Sequence, residues 1–142
     1  MSKLGRIGAL LAMLFSVAHT TETLHAQGPT TADAALADMR ASIVRAIGAQ
    51  DQTVEITMAN NILTVLRINS NMNQATHGAR DNEATAIVSV VSKAISGKSE
   101  FSNLHTIRIR YASRSSPGAN SSVVDTVDFR KDSQGAFEFH RT

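Results

Sequence analysis

The stretch Thr53–Asn69, TVEITMANNILTVLRIN, decides the fold because it predicts two strands joined by a tight turn. Val54, Ile56 and Met58 alternate with polar residues, and this period of two is typical of a strand with one buried face. Asn60–Asn61 stands at the centre, and asparagine tolerates the positive φ angles of a two-residue hairpin turn. The segment therefore predicts a β-hairpin with one apolar face.

The turn also sets the register of this hairpin, because each residue before it faces one residue after it. The expected cross-strand pairs are Val54 with Arg67, Ile56 with Val65, and Met58 with Leu63. Apolar side chains then meet on one face, with Arg67 near the edge of that face. A two-stranded hairpin becomes stable when other elements pack on such a face.

An amphipathic helix is predicted immediately before the hairpin. Thr30–Asp33 has the residues of a helix start, because threonine caps free amides and an acidic group is favourable at the positive helix end. Gly48 is the expected stop. The apolar positions recur at helical spacing and are Leu36, Met39, Ile43 and Ile47.

A second helix is predicted after the hairpin, from Asp81 to a stop at Gly97. Its apolar positions are Ala84, Ile87, Val88, Val91 and Ile95. The β-branched run at 87–91 has strand propensity, but the spacing and the length favour a helix. Residues 70–80 are polar and weakly periodic, so they remain open as a loop or as the first turns of this helix.

The last third of the chain predicts a three-stranded meander. Its strands are His105–Ala112, Val123–Arg130 and Ala136–Arg141, joined by a Ser113–Ser121 loop and a Lys131–Gly135 turn. The expected fold class is α+β: a single antiparallel sheet of about five strands with two helices packed on one face, in the order α-β-β-α-β-β-β.

The N-terminal residues have the layout of a secretory signal peptide. Lys3 and Arg6 give a basic start, and Ile7–Ala18 is an uncharged apolar core shorter than the about 20 residues of a membrane-spanning helix. We expect cleavage after Ala26, because a small residue precedes that bond. Cleavage after Ala18, and an uncleaved anchor or a helix that packs on the domain, remain alternatives.

The predicted organisation is a signal peptide at 1–26 and a single α+β domain at 27–142. Export places this domain in the periplasm or outside the cell, with no membrane span after cleavage. The removed segment carries Lys3, Arg6 and Glu22, so the formal charge falls from +2 to +1. A nearly neutral domain is not expected to attract nucleic acid or anionic lipid by charge.

Composition excludes several kinds of site. Cysteine is absent, which rules out disulfides, thiolate metal sites and cysteine nucleophiles. Tryptophan is absent and aromatic residues make up 4% of the chain, too few for a platform that stacks bases or sugars. No nucleophile elbow, phosphate-binding glycine loop or paired-carboxylate motif occurs, and we expect no cofactor.

Arg108, Arg110 and Arg114 are the candidate ligand-binding residues. Strand alternation places Arg108 and Arg110 on the polar face, where arginines can hold a phosphate or an acidic glycan. The same face is expected to carry acidic residues, and mixed charges are typical of a solvated antiparallel sheet. Ligand capture and a plain solvated face therefore both remain open, and the second is the simpler interpretation.

His105, Asp125 and His140 are the candidate catalytic residues of an alternative hypothesis, an exported hydrolase. The expected register places Ile109 opposite Asp125, His105 opposite Phe129, and Arg130 opposite Ala136. His105 and Asp125 are then about 13 Å apart, beyond hydrogen-bond reach. We expect Asp125 to form a structural ion pair with Arg141, and no catalytic residue is assigned.

A third cluster, His77 with Arg80, Asp81 and Glu83, has the residue types of a metal site or an acid–base site. No second histidine stands at the spacing of zinc-binding helices. The polar start of a helix explains these residues more simply, so no metal is expected.

A small exported α+β domain without a reactive motif is most simply a non-catalytic binding or adaptor module. Its expected partner is an envelope or extracellular protein, bound through the edge of the meander or through the Ser113–Ser121 loop. An exported hydrolase and a small inhibitor or immunity-type protein are the alternatives. Element order carries no function, so the ligand stays unassigned.

Overall fold

A computed structural model describes residues 30–141. The predicted signal peptide at 1–26 lies outside the described residues. The helices are α1 (Thr31–Ile47) and α2 (His77–Ile95), and the strands are β1 (Val54–Ala59), β2 (Ile62–Ile68), β3 (Thr106–Ser113), β4 (Ser122–Lys131) and β5 (Phe137–His140). The predicted α+β class and the order α-β-β-α-β-β-β are confirmed. Neither helix in this part of the chain has the length and apolar content needed to cross a membrane.

α1 begins and ends where the sequence predicts. The Thr30 side chain accepts a hydrogen bond from the Asp33 amide at 3.2 Å, and the Asp33 carboxylate accepts one from the Thr30 amide at 3.1 Å. This capping box satisfies amides that a helix start leaves unpaired. At the other end Gly48 has a φ of 62°, a left-handed conformation that glycine adopts at low cost.

The segment at 70–80 contains both of the alternatives left open. A 3-10 turn at Asn71–Gln74 comes first, and α2 then begins at His77 rather than near Asp81. Thr76 caps this start by accepting a hydrogen bond from the Ala79 amide at 3.3 Å. The β-branched run at 87–91 is helical, as its spacing predicts.

The hairpin has the predicted register. Val54 lies opposite Arg67, Ile56 opposite Val65, and Met58 opposite Leu63. Asn60 and Asn61 have φ angles of 52° and 60°, the pair of positive values that a type I′ turn requires. The turn chemistry of the two asparagines therefore sets this pairing.

The strands lie in the order β1-β2-β3-β4-β5, and β2 and β3 run parallel. The other neighbouring strands are antiparallel, so the prediction of a purely antiparallel sheet is wrong at one pairing. The physical reason is the connection between the two strands: α2 carries the chain from the end of β2 back to the side of the sheet where β2 begins. A strand that follows such a helical crossover runs in the same direction as the strand before it.

The register of β3 with β4 differs from the prediction by two residues. Asp125 lies opposite Tyr111 rather than Ile109, and Phe129 lies opposite Ile107 rather than His105. Pairing extends to Ser113 with Ser122, which accounts for one residue of the shift. A β-bulge between Tyr111 and Ala112 accounts for the other, because a bulge inserts one extra residue into a strand.

The register of β4 with β5 is also shifted. Arg130 lies opposite Glu138, not Ala136. Ala136 stays in the turn, where its amide donates to Asp132 Oδ1 at 2.8 Å and its carbonyl accepts from the Asp132 amide at 2.8 Å. The turn therefore has the predicted length of five residues but lies one residue later, at 132–136, and this displacement shifts the register by two residues.

Both helices pack on one face of the sheet, as predicted, and we call the opposite face the outer face. Large, fully buried side chains of the core include Met39, Ile43, Leu63, Val65, Ile87, Val91, Ile107, Ile109 and Val127. Tyr111 is also fully buried, and its hydroxyl donates to the Arg80 carbonyl at 2.9 Å. Burial raises the pKa of Tyr111, and the Glu83 carboxylate raises it further, so the hydroxyl remains a donor.

Candidate functional site

Arg108, the first of the three candidate arginines, is held by an acidic neighbour on the outer face. Its Nε and Nη2 donate to the two carboxylate oxygens of Asp128, each at 2.8 Å. The hydrogen bond from Arg108 holds the pKa of Asp128 below its ordinary value, although burial opposes this. Such a bidentate pair leaves Arg108 little capacity for a separate anion.

Arg114 is held in a similar way by a different strand. Its Nη1 and Nη2 donate to the two carboxylate oxygens of Glu55 in β1, at 2.6 and 3.0 Å. The hydrogen bond from Arg114 lowers the pKa of Glu55, which keeps the carboxylate charged. Arg114 Nε also donates to Ser121 Oγ at 3.0 Å, so this arginine ties the 113–121 loop to β1.

The three arginines do not surround one cradle. Arg108 lines a cavity of 410 Å³ on the outer face, Arg114 lines a different cavity of 690 Å³, and Arg110 is exposed and lines neither. Ligand binding by all three together stays a prediction. Arg114 lines a cavity beside a strand edge, but its guanidinium is already bound to Glu55 and Ser121.

The cavity at Arg114 lies along β1, which is an edge strand of the sheet. A second cavity, of 250 Å³, lies between α1 and β1 and shares Arg40 and Ile56 with the first. We call the two cavities together the β1 groove. Its lining residues are Asp33, Leu36, Ala37, Arg40, Gln52, Val54, Glu55, Ile56, Thr57, Ile68, Asn69, Arg114, Ser116 and Pro117.

The backbone beside the β1 groove is open at two residues. In a hairpin with a two-residue turn, the pair that flanks the turn exchanges hydrogen bonds, and such pairs alternate along the strands. Here that flanking pair is Ala59 with Ile62. The amide and carbonyl groups of Ile56 and Met58 therefore point away from β2, toward the free edge.

Val54 has the same outward orientation, but its backbone groups are already used. Its carbonyl accepts from Arg40 Nε at 2.7 Å, and its amide donates to the Asp51 carbonyl. Arg40 also forms an ion pair with the Asp51 carboxylate at 2.8 Å. Arg40 thus closes one end of the β1 edge and leaves Ile56 and Met58 available.

The three candidate catalytic residues have separate partners. His105 is exposed, and its Nδ1 lies 2.9 Å from Thr106 Oγ1. His140 Nε2 lies 3.4 Å from Arg130 Nη1 on the outer face. Neither histidine contacts Asp125, so the structure does not bring this trio together.

Asp125 joins a charged cluster between α2 and the end of the chain. Its Oδ2 lies 2.6 Å from Arg80 Nε, 3.0 Å from His77 Nδ1 and 3.1 Å from Arg141 Nη2. The predicted ion pair between Asp125 and Arg141 is thereby confirmed. Burial raises the pKa of Asp125, but hydrogen bonds from Arg80 and the Thr126 amide and the charge of Arg141 outweigh burial and place this pKa below its ordinary value.

The candidate metal cluster at the start of α2 is divided among these ion pairs. His77 and Arg80 contact Asp125, whereas Asp81 contacts Arg141 at 2.8 Å. Within residues 30–141, no three His, Asp or Glu side chains are grouped in a way that holds a metal ion. These residues instead attach the first turns of α2 to the sheet.

Sequence reasoning did not find the two buried ion pairs of α2. Arg67 Nε lies 2.9 Å from Glu83 Oε1, and the two side chains are 4% and 11% exposed. Arg80 and Asp125 form the other pair, with exposures of 7% and 12%. A signal was present, because Arg67 alternates onto the apolar face of β2, and Arg80 precedes Ala84 by one helical turn.

Comparison with protein-family models, with curated proteins and with solved structures found no match. The class of protein is therefore given by its own fold: a two-helix α+β domain with a groove along an open edge strand.

Proposed function

We propose that residues 27–142 form an exported, non-catalytic binding domain, periplasmic or secreted. The β1 groove takes an extended segment of an envelope or extracellular protein. The observation that carries this proposal is that one edge strand combines open backbone groups with a cavity of 690 Å³ that has both apolar and polar lining residues. Recognition by strand addition uses both features, because main-chain hydrogen bonds give affinity and side-chain pockets give specificity.

The open backbone groups define how the segment lies. Ile56 and Met58 together present two amides and two carbonyls, which is enough to pair with a short extended peptide as a further strand. Alternate side chains of that peptide then point toward Leu36 and Ile56, which line the part of the groove between α1 and β1. The preferred segment is therefore extended and carries an apolar side chain at alternate positions.

The sequence of β1 lacks the residues that usually prevent an edge strand from pairing with another strand. Natural edge strands are commonly blocked by lysine, proline or inward charges, and VEITMA contains neither lysine nor proline. Its acidic residue, Glu55, is paired with Arg114 and lies in the wall of the groove. Arg40 blocks the edge only at Val54, so strand addition is confined to the open groups of Ile56 and Met58.

The non-catalytic part of the proposal is supported by the partners of the ionisable groups. His77 does contact the Asp125 carboxylate, but Arg80 and Arg141 bind the same carboxylate oxygen. His105 shares the 410 Å³ cavity with Asp128, whose two oxygens are bound by Arg108. A carboxylate held by arginine is a poor orienting partner for a general base.

A peptide selection tests the proposed binding site. Peptides selected on purified residues 27–142 from a random display library should be extended and apolar, and they should shift the amide resonances of Ile56 and Met58. Ile56→Asp places a charge in the groove and should weaken binding at least about tenfold, because an unpaired charge must be desolvated. Val123→Asp, at an exposed residue of β4, is the matched control and should bind like the wild type.

Two results would contradict this site. One is a set of selected peptides whose resonance shifts map to β4 and β5. The other is equal peptide affinity for the wild type and for a folded Ile56→Asp variant, with circular dichroism establishing that the variant is folded.

Export is tested separately, by where the full chain accumulates when it is expressed in a bacterium. The protein should appear in the periplasmic extract with Gln27 as its first residue. Leu14→Arg places a charge in the apolar core of the signal and should keep the chain in the cytoplasm, whereas His19→Arg lies outside that core and should not. Cytoplasmic wild-type protein that begins at Met1 would rule out export.

A further inference from the structure

A cavity separate from the β1 groove lies between the end of α2 and the turn that joins β4 to β5. In the sheet, β1 and β5 are the two opposite edge strands. The volume of this cavity is 630 Å³, within the usual range for small-molecule sites of about 300–1,000 Å³. Ile95, Phe101 and Phe137 provide apolar lining, and Phe101 is 3% exposed. A cavity of this size with aromatic and aliphatic walls suits the apolar body of a small molecule.

The charged side chains that line this cavity are all positive. Lys98 and Lys131 line it, and none of its lining residues is acidic. Within residues 30–141, neither ammonium group has a carboxylate within the 4.0 Å of an ion pair, and Lys131 Nζ instead lies 5.7 Å from the centre of the Phe137 ring. Two cations beside an apolar wall form a complement to an anion with an apolar body.

The acidic residue nearest to Lys98 in the sequence is Glu100, which does not line the cavity and forms no ion pair within residues 30–141. The acidic residue nearest to Lys131 is occupied elsewhere. Asp132 follows Lys131, but its Oδ1 accepts hydrogen bonds from the amides of Gln134 and Ala136, both at 2.8 Å. Its carboxylate therefore closes the turn. The positive charge of the two lysines is left available to a ligand.

We propose that this cavity binds a small organic anion with an apolar body, of the class of medium-chain or aryl carboxylates. The carboxylate lies between Lys98 and Lys131, and the apolar body packs against Ile95, Phe101 and Phe137. Binding here is independent of the β1 groove, because the two sites share no lining residue.

Calorimetric titration of residues 27–142 with decanoate, decan-1-ol and decylammonium tests this proposal. Decanoate should bind with one-site saturation and at least about tenfold more tightly than decan-1-ol, because the three probes share one chain and differ in charge. Decylammonium should bind most weakly. Equal affinities for decanoate and decan-1-ol, or no saturable binding of decanoate, would overturn the proposal.

Variants locate the binding. Lys98→Met and Lys131→Met should each lower the affinity for decanoate about fivefold or more and leave decan-1-ol unchanged, since methionine keeps the length of the side chain without the charge. Lys93→Met, on an exposed part of α2 outside the cavity, is the matched control and should change neither. Ala136→Trp, at an exposed lining residue, should block both probes. A loss with Lys93→Met equal to that with Lys98→Met would show non-specific attraction and contradict the site.

Discussion

Replacing Glu83 with leucine is expected to lower the free energy of unfolding by about 3–5 kcal/mol. Arg67 is 3% exposed, and its Nε and Nη2 donate to the Glu83 carboxylate at 2.9 and 3.4 Å. Without that carboxylate, a buried guanidinium keeps Thr53 as its remaining partner, with contacts to the hydroxyl at 2.9 Å and the carbonyl at 3.4 Å. Removing one partner destabilises the fold by more than the net contribution of the ion pair, because the remaining charge stays buried without a counter-charge. Urea unfolding followed by circular dichroism measures the effect.

Two further variants separate a buried charge from a simple loss of packing. The double variant Arg67→Met, Glu83→Leu removes both charges and should recover most of the lost stability, because apolar replacement of a buried pair is often neutral or stabilising. Asp51→Ala breaks the exposed pair with Arg40, whose side chains are 35% and 67% exposed, and should cost less than about 1 kcal/mol. A double variant as unstable as Glu83→Leu alone would contradict this explanation.

Replacing Ile109 with alanine is expected to cost about 2–5 kcal/mol of unfolding free energy. Ile109 is 0% exposed and lies in the central strand β3, on the face that both helices cover. Its neighbours on the sheet are Val65 and Val127, which are also fully buried. Truncating the side chain therefore leaves a cavity inside the core. The same urea titration measures the loss.

Ile62→Ala provides the matched control for Ile109→Ala. Ile62 is half-buried at the start of β2, so the same chemical change opens less of a cavity and should cost about 1 kcal/mol. Equal losses for the two variants would mean that Ile109 is not part of a tightly packed core.

Local residue patterns predicted the elements that depend on neighbouring residues. The hairpin pairing follows from two adjacent asparagines, and α1 follows from a threonine cap and a glycine stop. These features are short in sequence, and their energies do not require knowledge of distant segments. The prediction of two helices on one face followed from the same apolar periodicity.

The features that were missed depend on residues that are distant in sequence. The direction of β3 relative to β2 is set by a crossover through α2, and periodicity within a strand does not report strand direction. The shift of β4 arises at a bulge between Tyr111 and Ala112, where no glycine or proline marks the position.

In the candidate site, too, the sequence predicted some features and missed those that depend on distant residues. Sequence reasoning proposed the 113–121 loop as a binding surface and found the ion pair of Asp125 with Arg141. It did not find the β1 groove, because the partner of Arg114 is Glu55, in a strand at the far edge of the hairpin. Predicting a cavity between an edge strand and a loop requires the order of the strands, and local residue patterns do not reveal that order.

The most direct test of the central claim is amide hydrogen exchange at Ile56 and Met58, measured on residues 27–142 with and without a selected peptide. An open edge predicts fast exchange at both amides in the free domain, because neither has a partner strand on that side. Bound peptide should slow both by at least about tenfold, because each amide then donates to the added strand. Exchange at these two amides that stays fast in the complex while Val123–Asp125 becomes protected would contradict the account.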